Sequence, residues 1–481
     1  MLDLFLSSWH WISGALVLLI DLMATSHVIL FKRDVRAAIG WVGLIWFAPG
    51  IGSVFYYLFG INRIARKARR LKRDRIPRQL TDKKTRSHHS GDLPEGATHL
   101  APLARLVHDL SGSPLLHGNV IHPLHTGTDA YREMIDAIQG AKRSIGLCTY
   151  IFSRDTAGRK FVDALGQAVA RGVDVRVILD DVGSRNRWLL SAVGLLRRVG
   201  VKVVRFLPQF LPWHFAYANL RNHRKILVID GEIGFTGGMN IQAGHDASLN
   251  PKNPIVDVHF RLDGPIVDHL RRTCADDWEF CTQEMLNGDV WFPHLLSRGK
   301  VSARGFTGGP DDMFERVRAV CLGALATARK SVRIVTPYFL PDGALIAGLD
   351  VAALRGVKVD IVLPSKSDLR LVQWACMGQI GQVLGHGCRV WMSPPPFNHS
   401  KLMIVDRAWV LFGSSNWDER SMRLNFEFDV ESYDPMLAGS LDDTVSDTID
   451  RSQPITLDRV NARRLPVKLR DGVCRLLSPY L

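Results

Sequence analysis

The chain has 481 residues, 46% of them hydrophobic, and a formal net charge of +14. That length excludes a single ordinary domain. Its seven cysteines show no C-x-x-C spacing and several fall in apolar stretches (L-C-T-Y, A-V-C-L), so they read as buried free thiols of a reducing compartment.

Residues 4–31 are apolar but are interrupted by Asp21 and His27. An Asp at the centre of a membrane helix costs about 2.5–3.5 kcal/mol, which the surrounding Leu, Ile and Val residues offset, so a span is expected here. It is not a signal peptide: the first nine residues contain no Lys or Arg and include Asp3. Residues 37–61 form 25 residues without a charge, enough to cross a hydrocarbon core about 30 Å thick. Pro49 and Gly50 should kink this second span, and Trp41, Trp46, Tyr56 and Tyr57 suit an interfacial belt. Residues 1–61 are therefore expected to form a transmembrane α-helical hairpin.

Residues 62–98 follow as a basic juxtamembrane segment and linker. Between 62 and 78 stand nine Arg or Lys against one Asp, whereas the short inter-span loop offers only Lys32, Arg33 and Arg36. The positive-inside rule places the basic run, and the body after it, in the cytoplasm. The run reads as a solvated stop-transfer flank, as an attractor for anionic lipid headgroups, or as both. Nucleic acid is not an expected partner of a segment adjacent to a span.

The body carries a duplication. A-K-R-S-I-G-L-C-T-Y-I-F (141–152) echoes A-R-K-S-V-R-I-V-T-P-Y-F (328–339), and R-G-V-D-V-R-V-I-L-D (171–180) echoes R-G-V-K-V-D-I-V-L-P (355–364). Each half reads strand, helix, strand, a longer excursion, then a further strand. This predicts two fused α/β domains, 99–300 and 301–481, each with a mixed sheet flanked by helices and with a site in the cleft between them.

The sharpest repeat is NHRKILVIDGEIGFTGGMN, matched by NHSKLMIVDRAWVLFGSSN. His223, Lys225, Asp230, Gly237 and Asn240 answer to His399, Lys401, Asp406, Gly413 and Asn416. The apolar runs read as buried strands, on which residues i and i+2 share a face, so each Lys lies beside its His. One neutral imidazole can attack phosphorus while the other, protonated, gives a proton to the departing oxygen. Two lysines and two asparagines surround the non-bridging oxygens. Nothing in the motif calls for a metal, and no cofactor is expected.

This frame, H-x-K-x4-D followed by G-[SG]-x-N, resembles the phospholipase D superfamily. The resemblance implies two phospholipase D-like domains with the active site at their interface, and a covalent phosphohistidine on one motif His with the other as acid and base. It implies that Asp230 and Asp406 are motif members with a structural part. It implies a carboxylate downstream of each motif that orients its His, with Asp257 and Glu427 as the candidates. Gly238 stands where Ser is commoner, so Ser414 is expected at the phosphate and Gly238 contributes backbone only.

Along almost its whole length the chain resembles bacterial cardiolipin synthases of the phospholipase D type. The residues that carry this are W-F-A-P-G-I-G-S-V-F-Y-Y-L-F-G-I-N-R (46–63), H-G-N-V (117–120), T-Y-I-F (149–152), W-D-E-R-S-M-R-L-N-F-E (417–427) and the final L-L-S-P-Y-L. The resemblance implies transfer between two phosphatidylglycerols in the bacterial inner membrane, giving cardiolipin and glycerol, with His223 as nucleophile. Hydrolysis by water, a nuclease-like phosphodiesterase, and transfer using phosphatidylethanolamine or another alcohol are the alternatives. The chain has no nucleotide-binding loop of the G-x4-G-K-[ST] type, and exchange of one phosphodiester for another needs none.

Other residues keep two readings. Tyr150 and Tyr338 line the site or fill the core. Asp418, Arg420 and Ser421 contact a headgroup or cap a helix. His117, His122 and His125 sit among Gly and Pro, which favours a loop over a metal cluster. The apolar run 206–215 is a lipid-facing element or a buried loop.

Overall fold

The computed structural model describes residues 2–32, 35–60, 93–184, 191–207, 220–309 and 315–478. The basic run 62–78, most of the linker and residues 208–215 of the apolar run lie outside the described residues.

In the N-terminal unit one helix runs from Leu2 to Phe31, and its segment Trp11–Phe31 is long and apolar enough to cross a membrane. A second helix, Val35–Phe47, stops at 48–50 and resumes as Ile51–Phe55 and a π turn, Tyr56–Gly60. The break falls at Pro49 and Gly50, where the sequence predicts a kink. Pro49 has no N–H to continue the ladder, and Gly50 takes a φ of 76° that breaks the helix. The break also explains Asp21. Its carboxylate accepts the freed N–H of Gly50 at 3.1 and 3.2 Å and the hydroxyl of Ser53 at 2.5 Å, so the charge in the long helix is hydrogen-bonded rather than bare. His27 Nδ1 reaches Tyr56 Oη at 2.7 Å on the same hairpin.

Among the described residues the second unit is built on one mixed sheet of fifteen strands. In the first half, Lys202–Phe206, Asp174–Asp180 and Ser144–Thr149 are parallel neighbours. Ile226–Ile229, Ile233–Gly237, His259–Asp263 and Leu116–Leu124 follow, each antiparallel to the last. The second half repeats this order in mirror sequence: Arg389–Ser393, Lys358–Pro364, Ser331–Val335, Leu402–Val405, Trp409–Gly413, Glu427–Tyr433 and Val301–Gly308. Leu116–Leu124 pairs antiparallel with Val301–Gly308 and seams the halves into one sheet. His117 and His122 are therefore in a strand, not in the expected loop; Gly118 lies at a register shift, Pro123 pairs in register with Phe260, and His117 Nδ1 binds Ser302 Oγ at 2.7 Å.

Helices cover both faces, and their starts are fixed by short polar side chains. Asp155 Oδ1 accepts from Gly158 N and Asp342 Oδ1 from Leu345 N, at equivalent places in the two halves. Helix Ala101–Ser111 buries Leu103, Ala104 and Val107 against Val320, Ala324 and other core residues of the second half. In space the entry helix thus joins the half to which it is not adjacent in sequence. All seven cysteines are free thiols and six are buried.

Candidate active site

The motif strands Ile226–Ile229 and Leu402–Val405 are wholly buried because they run through the middle of their sheet halves. Each motif His stands just before its strand, on backbone held by the opposite half. Asn222 bridges in parallel to Phe426; His223 N donates to Phe426 O at 2.9 Å, and Phe426 N donates to Arg221 O at 2.8 Å. In the reverse direction Phe397–Asn398 pairs in parallel with Ile255–Val256, and His399 N donates to Val256 O at 2.7 Å. Glu427 follows Phe426 and Asp257 follows Val256. The pairing carries each carboxylate to the His of the other half.

His223 Nδ1 lies 3.0 Å from both carboxylate oxygens of Glu427 and 3.1 Å from Ser414 O. His399 Nδ1 lies 2.9 Å from Asp257 Oδ2. The expectation that each carboxylate orients the His of its own motif is corrected: they are exchanged. A proton on Nδ1 donated to the carboxylate leaves Nε2 of His223 with its lone pair for chemistry, while the Lys401 ammonium lies 3.0 Å from Nδ1 and 3.2 Å from Nε2 of His399.

Electrostatics places both histidines in one site. Burial holds each well below the ordinary histidine pKa, and both Lys225 and Lys401 push each one further down. Lys225 Nζ donates to His223 O at 2.7 Å, and Lys401 Nζ donates to His399 O at 2.5 Å. The ammoniums are themselves desolvated, and burial lowers the Lys401 pKa to about 8. Burial also pushes Glu427 upward, opposed by Lys225. Two neutral imidazoles between two costly ammoniums form a site that an anion would relieve.

Ser414 makes its hydrogen bonds to protein groups. Its hydroxyl donates to Glu427 Oε2 at 2.5 Å and accepts from Phe428 N at 3.0 Å, while its carbonyl accepts from His223. The Ser414 hydroxyl proton is thus directed at the Glu427 carboxylate. The first half explains why Gly238 stands at the matching place: a Cβ there would lie 2.5 Å from Asp257 Oδ2. Asp is one methylene shorter than Glu, so its carboxylate sits where a serine side chain would begin.

Asn240 is buried, with Oδ1 accepting from Ile151 N at 3.2 Å, which turns its amide as a donor. Asn416 is buried and its Oδ1 has no partner among the described residues. Tyr150 flanks His223 with ring centres 5.0 Å apart and Tyr338 flanks His399 at 6.3 Å, so both border the site. Asp418 caps helix Glu419–Arg423 through Ser421 N at 2.6 Å, the capping reading of that group.

Asp230 and Asp406 lie at the far ends of the motif strands, away from the histidines. Asp230 accepts from the backbone N–H of Lys142, Arg143 and Ser144, and Asp406 from those of Arg329, Lys330 and Ser331. Each pins the turn before a neighbouring strand, and each takes a positive φ, 52° and 55°. Both spend their carboxylates on backbone N–H groups.

Sequence reasoning missed three features. His245 is buried 6.3 Å from the His399 ring, with neither ring nitrogen hydrogen-bonded among the described residues. His259 and Asp429 occupy matching places beside the motif glycines Gly237 and Gly413, a His in one half and a carboxyl in the other. Burial lowers His259 to about 4 and raises Asp429 to about 7. Arg224, between the first His and Lys, makes a buried ion pair with Asp277 and donates to Glu427 O at 3.0 Å. His259 was visible as the third residue of D-V-H, but only the strand register brings it to the motif.

Two imidazoles hydrogen-bonded to exchanged carboxylates, with two lysines and two asparagines on a duplicated sheet, have the arrangement expected of a phospholipase D-like protein. A family described as "Cardiolipin synthase, PLD-like domain" matches residues 134–251 and 322–448, and one described as phospholipase D-nuclease N-terminal matches 19–60. The chain is 32% identical over 467 residues to the major cardiolipin synthase ClsA of Bacillus subtilis, covering 94% of this chain and 96% of that one. It is 29% identical to the cardiolipin synthase of Staphylococcus aureus strain Mu50, covering 97% and 96%. The crystal structure of a phosphatidylserine synthase from Haemophilus influenzae shares the fold with a TM-score of 0.59 at 15% identity, covering 79% of this chain and all of that one. The chain belongs to the cardiolipin synthase family of phospholipase D-like proteins.

Proposed function

We propose that the chain synthesises cardiolipin by phosphatidyl transfer between two phosphatidylglycerols, releasing glycerol. The observation that carries this reading is the pair of exchanged hydrogen bonds, Glu427 to His223 and Asp257 to His399, which engage Nδ1 of each ring and make Nε2 the reacting nitrogen, with the Lys401 ammonium 3.2 Å from His399 Nε2. His223 Nε2 attacks the phosphorus of the first lipid. The bond from phosphorus to the glycerol oxygen breaks, and protonated His399 gives that oxygen its proton. His399 then takes the proton of a terminal hydroxyl on the second lipid's glycerol. That oxygen attacks phosphorus, the P–N bond breaks, and cardiolipin leaves with His223 regenerated.

Lys225, Lys401, Asn240 and Asn416 hold the non-bridging oxygens through both steps. A bound phosphodiester anion raises the His399 pKa from its depressed value, so the acid is charged when substrate is present. The exchange makes a bond of the kind it breaks and needs no nucleotide. The halves 99–300 and 301–481 each supply one His and one orienting carboxylate. The N-terminal hairpin and the basic run 62–78 support an inner-membrane enzyme, crossing twice, with its body at the cytoplasmic face.

Labelled phosphatidylglycerol given to the purified full chain tests the proposal. Cardiolipin with free glycerol is expected; phosphatidic acid as the sole product would overturn it.

A further inference from the structure

The last described helix, Leu465–Leu476, turns its apolar stripe outward. Asp471 and Cys474 face the body and are 1% and 6% exposed. On the opposite side Leu465, Leu469, Val473 and Leu476 are 67%, 61%, 60% and 72% exposed. Spacings of four, four and three put them on one face of a helix. Arg464, Lys468 and Arg475, all exposed, lie together along one flank of the stripe. Residues 451–478 hold seven basic side chains and two acidic ones, and one of the acidic pair, Asp471, is already bound to Arg463 and Arg470.

The helix is firmly placed. Arg470 stacks its guanidinium 4.4 Å from the centre of the Trp374 ring, and a Cβ on Gly378 would lie 2.6 Å from Asp471 O. It thus packs along helix Arg370–Gln379, which leads back to the site. That neighbour begins two residues after Asp368, whose carboxylate accepts the Tyr338 hydroxyl at 2.8 Å, and Tyr338 borders His399. Leu369 and Leu371, each 49% exposed, stand at this end.

A second copy of the chain would bring the same basic flank against itself. An anionic bilayer offers both an apolar interior and the opposite charge. We propose that this face docks the catalytic body into an anionic phospholipid bilayer. Leu465, Leu469, Val473 and Leu476 enter the upper acyl region while Arg464, Lys468 and Arg475 meet lipid phosphates. The contact sets Leu369, Leu371 and the His399 side of the site down on the lipid surface. The inference rests on the family's phospholipid substrates and not on which transfer follows.

The test uses the full chain in vesicles of phosphatidylglycerol and phosphatidylcholine with nitroxide-labelled acyl chains. An environment-sensitive amino acid replaces Leu469, or in a control Met285, which is 55% exposed in the first half. Quenching at 469 should exceed that at 285 by about twofold or more, and should fall when phosphatidylglycerol is left out. Solvent-like, unquenched emission at 469 overturns the proposal. So does a blue shift without nitroxide quenching, accompanied by crosslinks between copies. In an activity arm, Leu469→Glu with Val473→Glu should keep the melting temperature and the activity in detergent micelles while losing about tenfold on vesicles. Unchanged vesicle activity would count against docking. Quenching reads no product, so a failure of docking stays separate from a failure of cardiolipin synthesis.

Discussion

Glu427 accepts from Nδ1 of His223 at 3.0 Å across 204 positions of sequence, and Asp257 does the same for His399 across 142. Each half therefore supplies a reactive imidazole and the carboxylate that fixes the other half's tautomer. Neither motif histidine has its carboxylate in its own half, which is a physical reason for the two copies to share one continuous sheet.

The exchange separates the two carboxylates by chemical step. Glu427→Gln should disturb nucleophilic attack and Asp257→Asn proton transfer, each lowering kcat by about 10²–10⁴-fold with a nearly wild-type melting temperature. A p-nitrophenyl phosphodiester needs little help from an acid, so it should restore much of the rate to Asp257→Asn but not to Glu427→Gln. Rescue of Glu427→Gln alone would mean that each carboxylate serves the His of its own half.

Ser414 and Gly238 should not be interchangeable, and both exchanges should cost activity. Ser414→Ala removes a buried hydrogen bond to a carboxylate, about 1.5–3 kcal/mol, and should lower kcat by roughly 10–100-fold. Gly238→Ser puts a Cβ into Asp257 and should cost more, although it restores the commoner motif residue. Steady-state kinetics of the two variants checks the order.

Activity should fall at alkaline pH through the two site lysines. Burial lowers Lys225 to about 7 and Lys401 to about 8, so the free enzyme loses both charges as pH rises from about 7 through 8, Lys401 last, and kcat/KM falls with them. A bound anion raises the lysine pKa again, so the limb in kcat should lie at higher pH. The linked stability has its own sign: between about 8 and 10.5 the unfolded chain binds more protons, so Lys401 makes stability rise with pH. Coincident alkaline limbs in kcat and kcat/KM would contradict the assignment.

Asp406→Ala should destabilise without touching chemistry. It strips acceptors from three backbone N–H groups and from His99, at a cost of about 2–5 kcal/mol. Thermal unfolding should shift down markedly, while kcat per folded molecule should stay within about threefold of wild type.

The His and Lys pairs were legible because extended chain leading into a strand puts positions i and i+2 on one face. The distance of Asp230 and Asp406 from the histidines was not, since a motif read as a string hides that a four-residue strand, about 13 Å, lies between Lys225 and Asp230. Nor was the exchange of carboxylates legible, because it depends on the bridge Asn222–Phe426 and the pairing of Phe397–Asn398 with Ile255–Val256. Gly238 was visible as an oddity, but its reason, a shorter carboxylate on a neighbouring strand, exists only in three dimensions. In the hairpin, Pro49 and Gly50 announced the break, while the partner that makes Asp21 tolerable lay 29 residues away.

The most direct test of the covalent account is rapid quenching of the full chain during turnover of phosphatidylglycerol, followed by alkaline-stable peptide mapping by mass. The account predicts a phosphatidyl adduct on the peptide that carries His223, formed and lost at rates compatible with kcat. An adduct on His399, or cardiolipin formed with neither histidine modified, would contradict it.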